Sequence, residues 1–196
     1  MQSSEYEQFA RYLRSLTEVP DAEIAKASEI FRLVSVPKGT FLVRAGEVPQ
    51  TLGFIVSGIA RLYYNTPAGA EVIKSFRTEN HFVAAYSALL QGAPSRVFIQ
   101  TLEPTTLLVA PYRSYRALAS GHPCWQSVDL KIAEWLYIKL DQRESELLLD
   151  DATTRYLKFL EEYPGLVHRV KQHHIASYLG ITPVSLSRIR AQLAQS

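Results

Sequence analysis

A single cysteine, Cys124, stands in 196 residues. One thiol excludes an internal disulfide and any zinc or iron–sulfur site assembled from several cysteines of one chain. Histidine is scarce where a metal-dependent enzyme inside a β-barrel would need it, since of the five in the chain only His81 falls between residues 30 and 112. Neither an enzyme nor a cofactor is therefore expected. No apolar run is long enough to cross a bilayer. The start, MQSSEYEQFARYLRSL, lacks the basic-then-apolar order of a secretory signal, so the expectation is a cytoplasmic protein with no membrane partner. Proline and glycine are both missing from Trp125 to Asp150, and acidic side chains are missing after Glu162.

That last absence divides a chain whose overall charge is only +2. Through Asp150 there are 15 basic and 16 acidic residues, a balance of −1; from Asp151 onward there are 6 basic and 3 acidic, a balance of +3. Arg169, Lys171, Arg188 and Arg190 remain at the C-terminal end with His168, His173 and His174 among them. Such a distribution suits a phosphate backbone, whose attraction is electrostatic and salt-dependent.

Within that end, QHHIASYLGITPVSLSRIRAQ (172–192) has two short helical patterns meeting at a glycine, the spacing of a helix-turn-helix. Ile175, Leu179, Ile181, Leu186 and Ile189 fall where two crossed helices bury their inner faces, and Ala176 is small where they approach. Gly180 lets the first helix leave through a left-handed conformation. Thr182 is placed to cap the second helix, and Pro183 fits its first turn. Val184, Ser185, Ser187, Arg188 and Ala191 then face outward. Arg188 can donate two hydrogen bonds to the O6 and N7 edge of guanine, a pairing lysine reproduces less well. The candidate DNA contacts are Lys171, His173, Thr182, Val184, Ser185, Ser187, Arg188 and Arg190. The alternative is that the arginines are solvated charges on an amphipathic helix.

Upstream, residues 3–16 and 21–29 read as helices separated by Pro20, with Tyr6, Phe9, Tyr12, Leu13 and Leu16 making an apolar stripe. From Ile30 to Tyr112 short β-rich runs alternate with turn residues, interrupted at 78–94; about eight strands predict a jelly roll. YRSYRALAS predicts a short helix before Gly121. The unbroken stretch from Trp125 predicts one long helix with Val128, Ile132, Trp135, Leu136 and Leu140 on one contact face and Leu130 and Tyr137 on another. That pattern suits a helix that covers the β-domain and pairs with a symmetry mate; the alternative is a single long helix folded against its own domain. Asp150-Asp151 marks a junction, and DATTRYLKFLEEY predicts a further helix with Tyr156, Leu157 and Leu160 toward the helix-turn-helix. The predicted class is α+β, with a sensor domain over 1–121, a dimerisation helix over 122–150 and a reading domain over 151–196.

A β-roll, a long connecting helix and a C-terminal helix-turn-helix, in that order, resemble the Crp/Fnr superfamily of transcription regulators. The most specific part of the resemblance is RYLKFLEEYPGLVHRVKQHHIASYLGITPVSLSRIR, similar to the C-terminal signature of a subgroup in which arginine-tyrosine opens the domain and LGIT-P-x-x-LSR forms the reading turn. It implies a cyclic-nucleotide-binding-like jelly roll, a homodimer, double-stranded DNA with two half-sites, RNA polymerase as a further partner and a small-molecule effector. Ser196 follows closely on the reading helix, so a helical domain without a complete β-hairpin wing, and a shallower salt dependence than a winged relative, are expected.

By the same resemblance, Ala85, Tyr86, Ser95 and Arg96 would lie at an effector pocket. Members that bind cyclic AMP carry a glycine-glutamate pair and a later arginine-serine pair; here Ala85 stands at the glutamate position and Ser95-Arg96 runs in reversed order. Losing a ribose acceptor leaves a buried hydroxyl unpaired, so cyclic AMP is not the expected effector. Val184 replaces an acidic residue that reads cytosine in relatives, which implies a different target sequence. Lys171 stands where the subgroup often has proline, adding a phosphate contact. His81 and Cys124 are candidate haem ligands by type alone, and single residues of that sort are usually structural; His173-His174, as neighbours on a helix, point in different directions. Two other classes stay open: a cupin-type metalloenzyme, which bound metal would reveal, and a ligand-binding signalling protein whose helix-turn-helix contacts protein, for which salt-insensitive or absent DNA binding would speak.

Overall fold

The computed structural model describes residues 4–195, which fall into two compact units. One comprises the chain as far as Tyr63 together with Phe76–Glu134; the other comprises Tyr64–Ser75 and the chain from Trp135.

The first unit opens with α1 (Ser4–Leu16) and α2 (Asp21–Ile30), each with acidic residues in its first turn, where the helix dipole favours them. The expected stripe on α1 is realised: Phe9 and Leu13 are buried, with Tyr6, Tyr12 and Leu16 packed beside them. The strands β1 (Arg32–Val36), β2 (Phe41–Val43), β3 (Thr51–Ser57), β4 (Ala60–Asn65), β5 (Glu71–Arg77), β6 (His81–Val83), β7 (Phe98–Thr101) and β8 (Thr105–Pro111) follow. They form two four-stranded sheets, ordered β1-β8-β3-β6 and β2-β7-β4-β5. β6 lies inside what the sequence reads as an interruption, because three residues are too few to show a period-2 pattern.

Alternation along β3 explains why it is buried on both faces. Ile55 points between the sheets, where it joins Val43, Leu62, Ile99 and Leu107. Phe54 and Val56 point the other way, into a second core with α1, α2 and the start of α5. Phe54 lies opposite Leu108 on one side and Phe82 on the other. Phe9, Phe31, Phe54 and Phe82 meet there as tilted or edge-on rings. The turn after β3 requires Gly58, whose φ is +106° and whose Cβ, if present, would lie 2.5 Å from the Thr105 Oγ1.

Short helices α3 (Tyr86–Gln91) and α4 (Tyr112–Ala119) precede α5 (Pro123–Leu149), which runs 27 residues without a break, as the absence of proline and glycine predicts. Cys124, Trp125 and Val128 are buried, and Ile132, Trp135 and Leu136 half-buried. Leu140, expected with that group, is instead exposed along with Leu130 and Tyr137. It stands three residues after Tyr137, so the two share a side of the helix.

In the second unit, α6 (Ala152–Glu162), a 3-10 turn (Leu166–His168), α7 (Gln172–Leu179) and α8 (Pro183–Leu193) follow the end of α5. Tyr156 faces inward as expected, but Phe159 rather than Leu157 is its buried companion; Leu157 is exposed and Leu160 half-buried. Positions i and i+3 share the inner face here, and i+1 does not. Among the described residues no helix is long and apolar enough to cross a membrane.

Candidate nucleic-acid interface and effector region

The junction between α7 and α8 is built from local chemistry. Gly180 adopts φ 70° and ψ 31°, ending α7 in the left-handed region, and its N–H donates to the carbonyls of Ala176 and Ser177. The Thr182 hydroxyl oxygen then accepts the Ser185 N–H at 3.1 Å, and the two hydroxyls lie 2.9 Å apart. With Pro183 in the first turn, α8 starts as its sequence predicts. Thr182 and Ser185, both candidate DNA contacts, thus also close the helix cap.

Leu186 and Ile189 turn inward, so the opposite side of α8 presents Val184, Ser187, Arg188 and Ala191 to solvent; Ser185 and Arg190 are half-buried. Lys171 is exposed at the N-cap of α7, and His173, the second residue of the helix, is exposed as well. His174, read from the sequence as a polar surface residue like His173, is buried, with the two rings 4.0 Å apart. Helix α7 buries Ile175, Ala176, Tyr178 and Leu179 as well, leaving little of its circumference free.

Sequence reasoning missed the side chains that hold α7 in place. Arg155 donates through Nε to the Leu179 carbonyl at 3.0 Å and through Nη1 to the Asp150 carbonyl at 2.6 Å. Arg143 donates to the Tyr178 carbonyl and lies 4.1 Å from the centre of its ring. Cations at these last carbonyls satisfy acceptors that the helix leaves open and oppose its negative end. The Tyr178 hydroxyl donates to Glu162 at 3.1 Å, and burial pushes its pKa up, with Tyr163 and Glu162 adding to the effect. Asp151 caps α6 by accepting the Thr154 N–H at 2.7 Å, which holds its carboxyl below the usual range. The Arg155-Tyr156 pair opening the domain was the one signal in the sequence.

In the other unit, Ala85 is buried at the start of α3, packed in the inter-sheet core with Val97. Its methyl group offers no acceptor. The Ser95 hydroxyl is buried and already used, donating to the Val97 carbonyl at 2.8 Å and accepting the Val97 N–H at 3.0 Å. Tyr86 is half-buried and Arg96 exposed. His81 is half-buried and its pKa lowered, by burial first and by Arg77 second.

Residues 33–122 match the family of cyclic nucleotide-binding domains. No curated protein matches the chain. FixK2 from Bradyrhizobium japonicum is similar in structure, with a TM-score of 0.74 at 19% identity over 85% of each chain. CLP, a c-di-GMP-responsive global regulator from Xanthomonas campestris, has a TM-score of 0.71 at 17% identity over 90% of this chain and 92% of its own. A putative transcriptional regulator of the Crp/Fnr family from Eubacterium rectale has a TM-score of 0.70 at 16% identity over 90% and 85%. Residues 33–122 are thus similar to cyclic nucleotide-binding domains, and the chain as a whole shares its fold with Crp/Fnr-type transcription regulators.

Proposed function

We propose that the chain is a DNA-binding transcription regulator of the Crp/Fnr type, acting as a homodimer on a near-palindromic operator, with an effector other than cyclic AMP and RNA polymerase as a partner. The observation that carries this reading is the outer side of α8: a capped helix start followed by exposed Val184, Ser187 and Arg188, in a segment with no acidic side chain after Glu162. A helix so presented can enter a major groove, with Arg188 at base edges and Lys171, His173 and Arg190 toward phosphates. Residues 1–121 serve as the sensor domain, 122–150 as the dimerisation helix and 151–196 as the reading domain.

The dimer reading is supported by α5. Leu130 and Tyr137 are 57% and 70% exposed at heptad spacing, and Leu140 and Leu147 continue the seam. A two-fold axis along such a seam sets two reading helices about 34 Å apart, one turn of DNA. The effector reading is supported by Ala85 and Ser95, which supply neither a carboxylate nor a free hydroxyl for a ribose and a cyclic phosphate.

A mobility-shift titration against duplex DNA at about 50 and about 200 mM salt tests the function, since a complex resting on phosphates weakens steeply over that range. Salt-insensitive or absent binding would favour a helix-turn-helix that contacts protein. A thermal-shift screen with cyclic AMP is expected to leave the melting temperature unchanged, and a clear upward shift would overturn the pocket assignment.

A further inference from the structure

We propose that the hairpin joining β4 to β5 is an autoinhibitory latch on α7, held by Ser177, which DNA must displace in order to dock. β5 is an edge strand, so among the described residues no further strand pairs with its outer side. The Ser177 hydroxyl takes that place. Its oxygen accepts the Ile73 N–H at 3.0 Å, and its proton goes to the Glu71 carbonyl at 3.0 Å. Residues 71 and 73 expose their backbone groups on the same edge, and one hydroxyl bridges both. The hairpin tip is itself firm: the Thr66 N–H donates to the Ala70 carbonyl at 2.9 Å, the Thr66 hydroxyl accepts the Ala70 N–H at 3.1 Å, and Gly69 supplies φ +82°.

The position of this contact on α7 gives it a consequence for DNA. Ser177 and His173 are four residues apart, on one side of the helix. In helix-turn-helix proteins the first helix crosses the phosphate backbone, and His173 and Lys171 are the exposed basic groups at its start. A hairpin seated one turn further along that side occupies the space of the duplex, and it brings the exposed Glu71 with it. Hairpin and DNA therefore compete for α7. The hairpin is covalently continuous with the strands of the β-roll, so whatever draws it away from Ser177 raises DNA affinity, and DNA reciprocally favours the released hairpin.

The latch rests on the DNA-binding reading, and two measurements separate them. The first is amide hydrogen exchange at Ile73 without DNA, in the wild type, Ser177→Ala and Ser177→Thr. Ile73 is expected to be protected in the wild type and in Ser177→Thr, which keeps the hydroxyl, and to exchange freely in Ser177→Ala. The second is titration with a randomised duplex pool. Ser177→Ala is expected to bind about tenfold tighter, equivalent to 1.4 kcal/mol, with Ser177→Thr near wild type, and saturating DNA is expected to deprotect Ile73 in the wild type. If Ser177→Ala binds no tighter, or Ile73 stays protected in the complex, the latch is overturned and the DNA reading stands. If neither protein binds the pool, the DNA reading fails and the latch falls with it.

Discussion

The Trp125 indole donates its Nε1–H to Glu23 Oε2 at 2.8 Å, joining the first turn of α5 to α2 across 102 positions of sequence. Lys26 pairs with the other Glu23 oxygen at 2.6 Å, so the buried carboxylate has two partners. Trp125→Phe is expected to lower stability by about 1–3 kcal/mol in urea denaturation, because one carboxylate oxygen loses its donor inside the fold.

The same site predicts a pH dependence. The hydrogen bond from Lys26, with that from Trp125, holds the Glu23 carboxyl below its ordinary value of 4.5. In the window below 4.5 the unfolded chain therefore binds more protons than the folded one, and stability rises with pH. The contribution is complete above 4.5 and is lost as pH falls through the depressed value. Urea midpoints taken from about pH 5 down to about pH 3 should fall more steeply in the wild type than in Glu23→Gln, and parallel curves would contradict the assignment.

Gly58→Ala is expected to be among the most damaging small substitutions in the β-roll. Beyond the strained φ of +106°, the added carbon would sit 2.8 Å from the Thr105 Cα, a backbone atom that cannot swing away. A loss of at least about 2 kcal/mol in thermal unfolding is expected, and a loss within about 0.5 would mean that the turn relaxes freely.

For DNA, Arg188→Ala should cost about 1–3 kcal/mol at a specific operator while changing binding to random duplex much less. Competition titrations with the two DNAs read the difference directly. Equal losses on both would make Arg188 a phosphate contact rather than a base reader.

For assembly, Tyr137→Glu should leave the protomer folded, since its side chain is exposed, yet place a charge in the proposed seam. Sedimentation is expected to move from twice the 22.1 kDa of one chain toward a single chain. An unchanged sedimentation profile would remove α5 as the dimer contact.

What could be read without a structure is what depends on neighbours in sequence. Gly180 with Thr182-Pro183 predicted one helix end and the next helix start, because a left-handed residue and an N-cap act within a few positions of themselves. The strand runs and the unbroken α5 followed from period and from the absence of breakers in the same way. His174 and Leu157 were misjudged, since which side of a short helix is inner depends on where its partners cross it.

The amino-acid sequence by itself determined the order of the longer elements, though not β6 or α3, together with the capped α7–α8 turn and the absence of a carboxylate at Ala85. Tertiary structure alone decided that Ser95 spends its hydroxyl on Val97, that Arg143 and Arg155 close the end of α7, and that Ser177 meets the edge of β5 from 104 positions away. The physical reason is that one serine or arginine reads like another until folding brings an open carbonyl or an unpaired edge within about 3 Å of it.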